Sequence, residues 1–595
     1  MLNDIDVTIA GAAGQGLVTL SGTFMKVLAR EGYHLYASQD YMSRVRGGHN
    51  FMRIRISDRP VMSTPEKSHL LVALDQRSVD EHKAGLVEPA IILHDPDYVK
   101  VGNHGKPHSI PVPLLRIAKE CGNPVYANSA ALGSLTALFD MELDRLTTVI
   151  EKQFAKKKAE VLAGNKNAAR SGFNYIKENF GALHIDIGRP KRKNRMLING
   201  AESIGLGMIA GGARFISSYP MSPSTAIFNY ITAHAKKLGI VSEQAEDEIA
   251  ALQMGLGASA AGARAVTTTS GGGLSLMAEG VSLAGVAEIP IVIANLQRPG
   301  PGTGLPTRTG QEDLEMVLHI GHGEFPRFVF APGTVEEAFY TSIHAMNLAD
   351  KYQVPVFILG DQHLVDGYVT LDGLDPGLVK FREQVMNGGG SARKHYLRYR
   401  FTKSGVSPRA VYGQDGFHFI TDSHAHSEDG HITEEMHFAK KMVEKRFLKL
   451  KGMAKEPYGP VCYGPQNAKI VLVSWGSTYG AVRETVETLR AAGKSAAMVH
   501  FNRLSPFPAE EAVRLLKSRK DIHVVENNYQ SQFSRLLRRE TGIAAGKPVL
   551  RYDGRPFTVS FITEKIAEIH RWKTIMDFTT KARSHGALAA ETSAY

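Results

Sequence analysis

The sequence predicts a multidomain α/β protein, and three observations carry that prediction. Its 595 residues exceed what one hydrophobic core organises, which implies about three or four units. Hydrophobic residues at 43% and charged residues at 22% are the balance of a globular chain. The 58 glycines stand mostly between apolar strand-like runs and helices of small residues, which is the punctuation of alternating strands and helices.

The first unit opens with VTIAGAAGQGLVTLSGTFMKVLAREGY, a strand, a glycine-rich turn and a helix, and adds strands at LLVALD and AIILHD. From Thr147 to about Arg195 the chain turns charged and helix-like and ends in GRPKRKNR, which reads as a linker. A second unit starts at LINGAESIGLGMIAGGARFISSYP and runs through ARAVTTTS, IPIVIANLQ and VPVFILGD, strand-like runs alternating with helical ones. Parallel pairing is the economical topology for that order. After Gly367 regularity is lost in a long stretch with GGGS, SPR and DSHAHSEDGH, closed by the charged amphipathic run ITEEMHFAKKMVEKRFLKLKG. A last α/β unit follows with AKIVLVSWGS, AVRETVETLRAAG, SAAMVHF and DIHVVEN. The expected division is 1–190, 191–370, 371–457 and 458–595.

Several function classes are excluded at this level. No apolar run approaches the roughly 18 residues of a membrane span, and MLNDIDVTIAG enters a strand without a basic, cleavable leader, so no membrane association and a cytoplasmic location are expected. Cys121 and Cys462 are the only cysteines, too few for a disulfide framework, an iron–sulfur cluster or a cysteine zinc site. Any cluster belongs to another chain. The net charge of +11 is scattered and comes with no nucleic-acid motif, so it reads as bulk surface or attraction for acidic partners.

Six segments carry candidate chemistry. In FISSYPMSPSTAI, Ser222 as N-cap with Pro223 at the first helical position would make a well-capped helix, and the same helix start beside several hydroxyls would suit a small carboxylate. In SEQAEDEIAALQMGLGASAAGARA, acidic residues favour the helix dipole, while Glu248 heads a small-residue surface where apolar walls would raise its pKa toward that of an acid/base group. The triple glycine of VTTTSGGGLSLMAEG lacks the Lys and Ser/Thr of a phosphate loop; close packing against a cofactor or a neighbouring subunit is at least as good an account. In LQRPGPGTGLPTRTGQEDL, Arg298 ends a strand where open α/β sheets bind ligands, with Thr303, Thr307 and Arg308 in a stiffened loop; a surface ion pair is the alternative. The N-terminal GAAGQG, with Gly11, Gly14 and Gly16, has Ala13 where a dinucleotide fingerprint has glycine, and SRVRGGHNF offers Arg44 and Arg46 either to phosphates or to solvent. His424, His426 and His431 form a loop-borne histidine group of no assigned role, and no metal site is assigned to this chain.

Together these segments resemble the 2-oxoacid:ferredoxin oxidoreductases. YPMSPST is similar to YPITPS(T/S) of their α subunits, TTTSGGGLSLM to TATSGPGFSLM, and QRPGPGTGLPTRTGQEDL to QRxGPSTGLPTKxxQxDL, while GAAGQG and SRVRGGHNF resemble the opening of their γ subunit. The γ-then-α order resembles the fused subunit of two-subunit enzymes, most like those acting on 2-oxoglutarate. The resemblance implies transketolase-like pyrimidine-binding and C-terminal domains behind an N-terminal γ-type domain. It implies CoA-acylating oxidative decarboxylation of a 2-oxoacid on thiamine diphosphate, reversible as carboxylation, with electrons passed through a cluster to ferredoxin. By the same resemblance Glu248 is the catalytic carboxyl facing the aminopyrimidine, Ser222, Arg298 and Thr307 bind substrate, and Gly11, Gly14, Gly16, Arg44 and Arg46 face CoA.

Two departures matter. Met221-Ser222 replaces Ile-Thr, and no GDG with a downstream Asn supplies the usual Mg²⁺ and diphosphate signature; Gly360-Asp361-Gln362 does not. The Mg²⁺, the diphosphate grip and the [4Fe-4S] cluster are therefore expected on a β subunit, in a dimer of αβ heterodimers. The other readings are pyruvate or branched-chain specificity, a nicotinamide-dependent dehydrogenase, and a scaffold for an electron-transfer partner that binds no cofactor.

Overall fold

The computed structural model describes residues 4–42, 48–64, 66–102, 108–181, 183–188, 190, 194–382, 384–386 and 396–572. Its described strands form three main sheets of eight, seven and five strands. The α/β class read from the sequence is therefore the one observed. None of the described helices is long and apolar enough to cross a membrane.

The first sheet is mixed. Asp4–Ala12, buried along nearly its whole length, pairs antiparallel with His49–Ser57 and parallel with Ser68–Ala73. A dinucleotide-binding unit places parallel strands on both sides of its first strand, so this arrangement argues against the nicotinamide reading. Two strands from farther along the chain, Met196–Asn199 and Tyr368–Leu371, complete the edge of this sheet.

The segment read as a linker is largely packed structure. Leu143–Phe154 and Ala159–Phe180 are helices, and Ala168, Ala169 and Ile176 lie in the N-terminal core. Glycines let the second of them meet Ala127–Leu138 at backbone distance: a Cβ on Gly133 would stand 1.8 Å from the Ala169 carbonyl oxygen, and one on Gly172 2.1 Å from that of Ala130. Charge on the outward face hid an inward face whose small residues bring the two backbones together beside Ile176.

The second sheet bears the candidate site. Phe215–Ser218, Val241–Gln244, Ala265–Thr269, Ile291–Gln297, Phe328–Phe330 and Pro355–Asp361 run parallel, and only Arg503–Ser505 pairs antiparallel at the edge. The apolar side chains of the inner strands are buried on both faces, as parallel sheets require, while Val241 on the edge strand is exposed. The five-stranded sheet, centred on Ile470–Trp475, packs through Trp475, Phe501 and Phe533 into the same apolar cluster as Ile293 and Phe357.

Beyond Gly367 the chain is irregular but anchored by charge rather than by apolar bulk. Lys445 and Lys449, from helix Met436–Leu448 and the residue after it, reach the fully buried carboxylate of Glu288 at 2.5 and 2.6 Å. Burial alone would raise the Glu288 pKa, but Lys449 and Lys445 outweigh it and hold the carboxyl below its ordinary range. Arg264 and Arg409 converge on Asp350 at 2.7 and 2.9 Å.

Candidate functional site

The candidate residues gather at the carboxyl ends of the parallel strands, the edge where open α/β sheets bind ligands. Asp247 caps helix Glu248–Ala260 by accepting from the Ala250 N–H at 2.7 Å, and that cap fixes Glu248 as the first helical residue. The neighbours divide sharply: Glu243 and Glu246 are exposed, whereas Glu248 is 3% exposed. Its Oε1 is buried without a hydrogen-bond partner. Burial pushes the Glu248 carboxyl up from its ordinary value; its own backbone N–H opposes, Asp247 adds to the rise, and Arg298 pulls it back.

The triple glycine is not a loop but the first turn of helix Gly271–Leu276. A Cβ on Gly273 would fall 2.5 Å from Glu248 Oε1 and 2.4 Å from Thr269 Oγ1, so only glycine lets this turn lie against the carboxyl. A Cβ on Gly271 would fall 2.5 Å from Asp313 Oδ1. The turn is thus shaped around two carboxyl groups.

Arg298 follows the end of strand Ile291–Gln297 and donates from Nη1 to the Ser222 carbonyl oxygen at 2.8 Å. That bond joins the two segments the sequence placed 76 residues apart. Ser222 does not cap the following helix, which corrects the reading of the joint. The helix runs Thr225–Leu238 with Ser224 at its N-cap; the preceding turn is closed by Thr225 N–H and Ser224 Oγ, both donating to the Met221 carbonyl, at 3.2 and 2.7 Å. The chain therefore uses Met221 for the turn and leaves Ser222 exposed beside Arg298.

The loop after Arg298 is held from several sides. Leu305 N–H donates to the Pro299 carbonyl at 3.0 Å, and the Gln311 backbone and side chain exchange hydrogen bonds with Asn527 at 2.8 and 3.0 Å. Thr307 is buried within this loop at 7% exposure, and Arg308 pairs with Asp40 of the N-terminal sheet at 2.5 Å. The sequence left a surface ion pair as the alternative for Arg298; the ion pair observed in this loop is that of Arg308, while Arg298 is held on the Ser222 carbonyl.

Asp313 was not singled out from sequence. It accepts from Asn295 Nδ2 at 2.9 Å, receives its backbone register from Gln297 Oε1 at 3.0 Å, and abuts Gly271. Burial pushes its carboxyl up to about 6; the Asn295 bond opposes, Glu312 adds, and Arg298 opposes. The signal was its place at the start of helix Leu314–His319, where an acidic residue needs no other explanation. Asp361, likewise at about 6 from burial, is committed to structure: it caps Gln362–Asp366 and accepts from Ser477 at 2.5 Å.

In the N-terminal unit Gly11 closes strand contact with Gln15, whose Oε1 accepts from the Ala12 N–H at 2.7 Å, and Gly16 stands at φ 75° before helix Leu17–Glu31. Gly14 has φ 97° with open space where a Cβ would point. Arg44 and Arg46 lie outside the described residues. The histidine loop does not converge: His424 pairs with Asp422, His431 with Asp429, and His426 is buried against the Tyr399 ring at 4.0 Å.

A buried, unpartnered carboxyl at a helix start, seated on a glycine turn beside an arginine at the ligand-binding edge of a parallel sheet, is the arrangement an acid/base site in an α/β protein would need. Comparison narrows the class. Residues 206–445 match the thiamine diphosphate-binding domain model of pyruvate flavodoxin/ferredoxin oxidoreductases, residues 6–175 the pyruvate ferredoxin/flavodoxin oxidoreductase model, and 468–561 core domain II of pyruvate:ferredoxin oxidoreductase. A Sulfolobus 2-oxoacid:ferredoxin oxidoreductase subunit alpha is 31% identical over 94% of this chain and 96% of its own. A 2-oxoglutarate oxidoreductase subunit KorA of Mycobacterium tuberculosis is 28% identical over 85% and 83%. The solved 2-oxoglutarate:ferredoxin oxidoreductase of Magnetococcus marinus, with 2-oxoglutarate, coenzyme A and succinyl-CoA bound, superposes with a TM-score of 0.87 at 30% identity, over 96% of this chain and 100% of that one. The chain belongs to the alpha subunits of the 2-oxoacid:ferredoxin oxidoreductases, thiamine diphosphate-dependent enzymes.

Proposed function

We propose that this chain is the alpha subunit of a 2-oxoglutarate:ferredoxin oxidoreductase, in which Glu248 is the acid/base carboxyl and Ser222, Arg298 and Thr307 bind the substrate. The observation that carries the reading is the orphaned Glu248 Oε1, buried against Gly273. A buried carboxyl without a partner is costly unless a ligand completes it, and a planar heteroaromatic nitrogen suits a turn whose Gly271, Gly272 and Gly273 carry no side chains. The residues present therefore suit thiamine diphosphate, which when bound supplies a nucleophilic carbon and takes up the electron pair left as carbon dioxide departs.

The chain's own part is proton and charge placement. Burial raises the Glu248 pKa and so favours a proton on Oε1, the atom that would face the pyrimidine nitrogen. Arg298, with one Nη already on the Ser222 carbonyl, presents its remaining donors to a substrate carboxylate, and the exposed Ser222 hydroxyl adds one more. Thr307 lines the loop that closes this edge.

Coenzyme A is the acyl acceptor in this reading, met by Gly11, Gly14, Gly16, Arg44 and Arg46 in the γ-type unit 1–190; 191–370 is the pyrimidine unit, 371–457 the connector and 458–595 the transketolase C-terminal-like unit. The open φ 97° turn at Gly14 leaves backbone N–H groups at a helix start, which suits phosphate. A β subunit carrying Mg²⁺, the diphosphate grip and a [4Fe-4S] cluster completes the site and passes electrons singly to ferredoxin, in a dimer of αβ heterodimers in the cytoplasm. Tyr219, Ile249, Met254, Leu276 and Leu305 support that partner: five large apolar side chains, 39–53% exposed, all borne on the segments that build the site.

The decisive test is CoA-dependent reduction of a one-electron dye by the reconstituted αβ complex. 2-Oxoglutarate should exceed pyruvate and branched-chain 2-oxoacids in kcat/KM, and Glu248→Gln should lower kcat about 10²–10⁴-fold. Unchanged turnover in Glu248→Gln would overturn the catalytic assignment, and a preference for pyruvate the substrate.

A further inference from the structure

Far from that edge, three side chains converge at the rim of the third sheet. Asp521 and His523 occupy alternate positions at the start of strand Asp521–Glu526, so both point to the same side. His570 is the C-cap residue of helix Val559–Ile569, whose carbonyl end favours positive charge. His523 Nε2 lies 2.8 Å from Asp521 Oδ1, and His570 Nε2 lies 3.3 Å from Asp521 Oδ2. The ligand atoms of the three residues all fall within 4.8 Å of one another, the only such His/Cys/Asp/Glu group among the described residues.

The hydrogen bonds fix what these atoms offer. His523 Nδ1 lies 2.8 Å from the Lys547 carbonyl oxygen. A carbonyl only accepts, so Nδ1 carries the proton and a neutral His523 presents a lone pair at Nε2. That lone pair faces a carboxylate oxygen from a side chain only 3% exposed. Both Nε2 atoms are buried without a hydrogen-bond partner. A divalent cation satisfies all three groups at once.

We propose that Asp521, His523 and His570 form a zinc-class divalent-cation site that fastens the last helix to the third sheet. Two imidazole nitrogens and a carboxylate are a donor set for Zn²⁺, and the Lys547 carbonyl on Nδ1 is the outer hydrogen bond that orients a metal-binding histidine. Tetrahedral bonds of about 2.0–2.1 Å put neighbouring ligand atoms roughly 3.3 Å apart. The observed 2.8 and 3.3 Å, to the two oxygens of Asp521, lie at or just inside that spacing, and with all the ligand atoms within 4.8 Å of one another binding asks the side chains to rearrange around one centre. Water takes the fourth position. The stiff donors and their number disfavour Mg²⁺, which keeps an oxygen-rich octahedral shell.

The test uses the purified αβ complex, chelator-treated and then dialysed against ZnCl₂ in excess Mg²⁺, with metal content counted per chain. Asp521→Asn and His570→Gln keep the side chains' size and lie at the partly exposed side of the site. Expected are one Zn²⁺ per alpha chain lost in both variants, an affinity fall of at least about tenfold, and a zinc-dependent rise in melting temperature that the variants lack. Zinc-edge anomalous scattering should peak between the three ligand atoms. Dye-reduction activity should stay unchanged in both variants, which separates this site from the one at Glu248. Equal stoichiometry and affinity in both variants, or no anomalous peak there at millimolar Zn²⁺, would overturn the proposal and leave a protonated His–Asp–His cluster.

Discussion

Gly273→Ala tests the site through a residue that offers no chemistry of its own. Its Cβ would lie 2.5 Å from Glu248 Oε1, 2.6 Å from Glu248 Cγ and 2.4 Å from Thr269 Oγ1, each about 1 Å inside ordinary contact. Thr269 is on a buried strand and has little room to retreat, so the carboxyl must move by roughly the overlap, about 1 Å. Misplacing a catalytic group by that much lowers turnover on the order of 10²-fold, and overpacking adds about 1–3 kcal/mol of destabilisation. Gly272→Ala is the stability control, because its Cβ would meet only the Gly302 carbonyl oxygen at 3.7 Å, and alanine gains about 0.5–1 kcal/mol in a helix. Dye reduction by the reconstituted complex, with thermal melting of the same samples, reads both effects. If Gly273→Ala turned over like the parent at an unchanged melting temperature, the cradle would not be what positions Glu248.

Arg298→Lys keeps the charge but not the fork, and should lower kcat/KM about 30–100-fold through loss of one charge-assisted hydrogen bond, read by steady-state kinetics. Asp313 has a folded pKa of about 6 against an ordinary 3.8, so its contribution is fully present below pH 3.8 and is lost as pH rises through 6. Relative to Asp313→Asn, the parent should therefore lose on the order of 2 kcal/mol of stability between pH 4 and pH 7, measured by denaturant titration at each pH. Glu288→Gln leaves Lys445 and Lys449 buried without their counter-charge and should cost about 3–5 kcal/mol in chemical unfolding, while the same lysines exposed would cost almost nothing.

What was legible followed from residue type. Long apolar runs such as Ile291–Gln297 and Pro355–Asp361 could be little else than buried parallel strands, and Arg298 at the end of one had its place given by topology. Short strands carried too little pattern: Val241–Gln244 is VSEQ, polar and mostly exposed, and is held as a strand by Phe215–Ser218 alone. Ser222 failed as a cap because the sequence SPST offers two serines and only backbone geometry decides that the turn closes on Met221. Asp313 was hidden because an acid at a helix start has an ordinary explanation, and its pairing with Gly271 spans 42 positions that no local pattern links. Lys445 and Lys449 were not singled out within a run read as charged and amphipathic, since burying lysine requires a buried acid and Glu288 lies more than 150 positions away.

The helix Glu248–Ala260 shows why this edge calls for a second chain. Its few large side chains prevent it from making a core by bulk, and its two glycines face different surroundings. A Cβ on Gly255 would stand 3.0 Å from Ile291 Cδ1, so that side is already filled by the sheet. A Cβ on Gly257 would meet nothing within 4 Å, and Ile249 and Met254 on the same helix are 49% and 41% exposed. A helix with one packed face and one apolar open face, headed by a carboxyl whose oxygen has no partner, is stable only at a cost that a covering surface removes. Closing that face would also exclude water from Glu248, and desolvation is what already raises its pKa. Under the proposed function, assembly and proton placement would be one event: a contact that buried Ile249 and Met254 would push the neighbouring carboxyl further toward its protonated form.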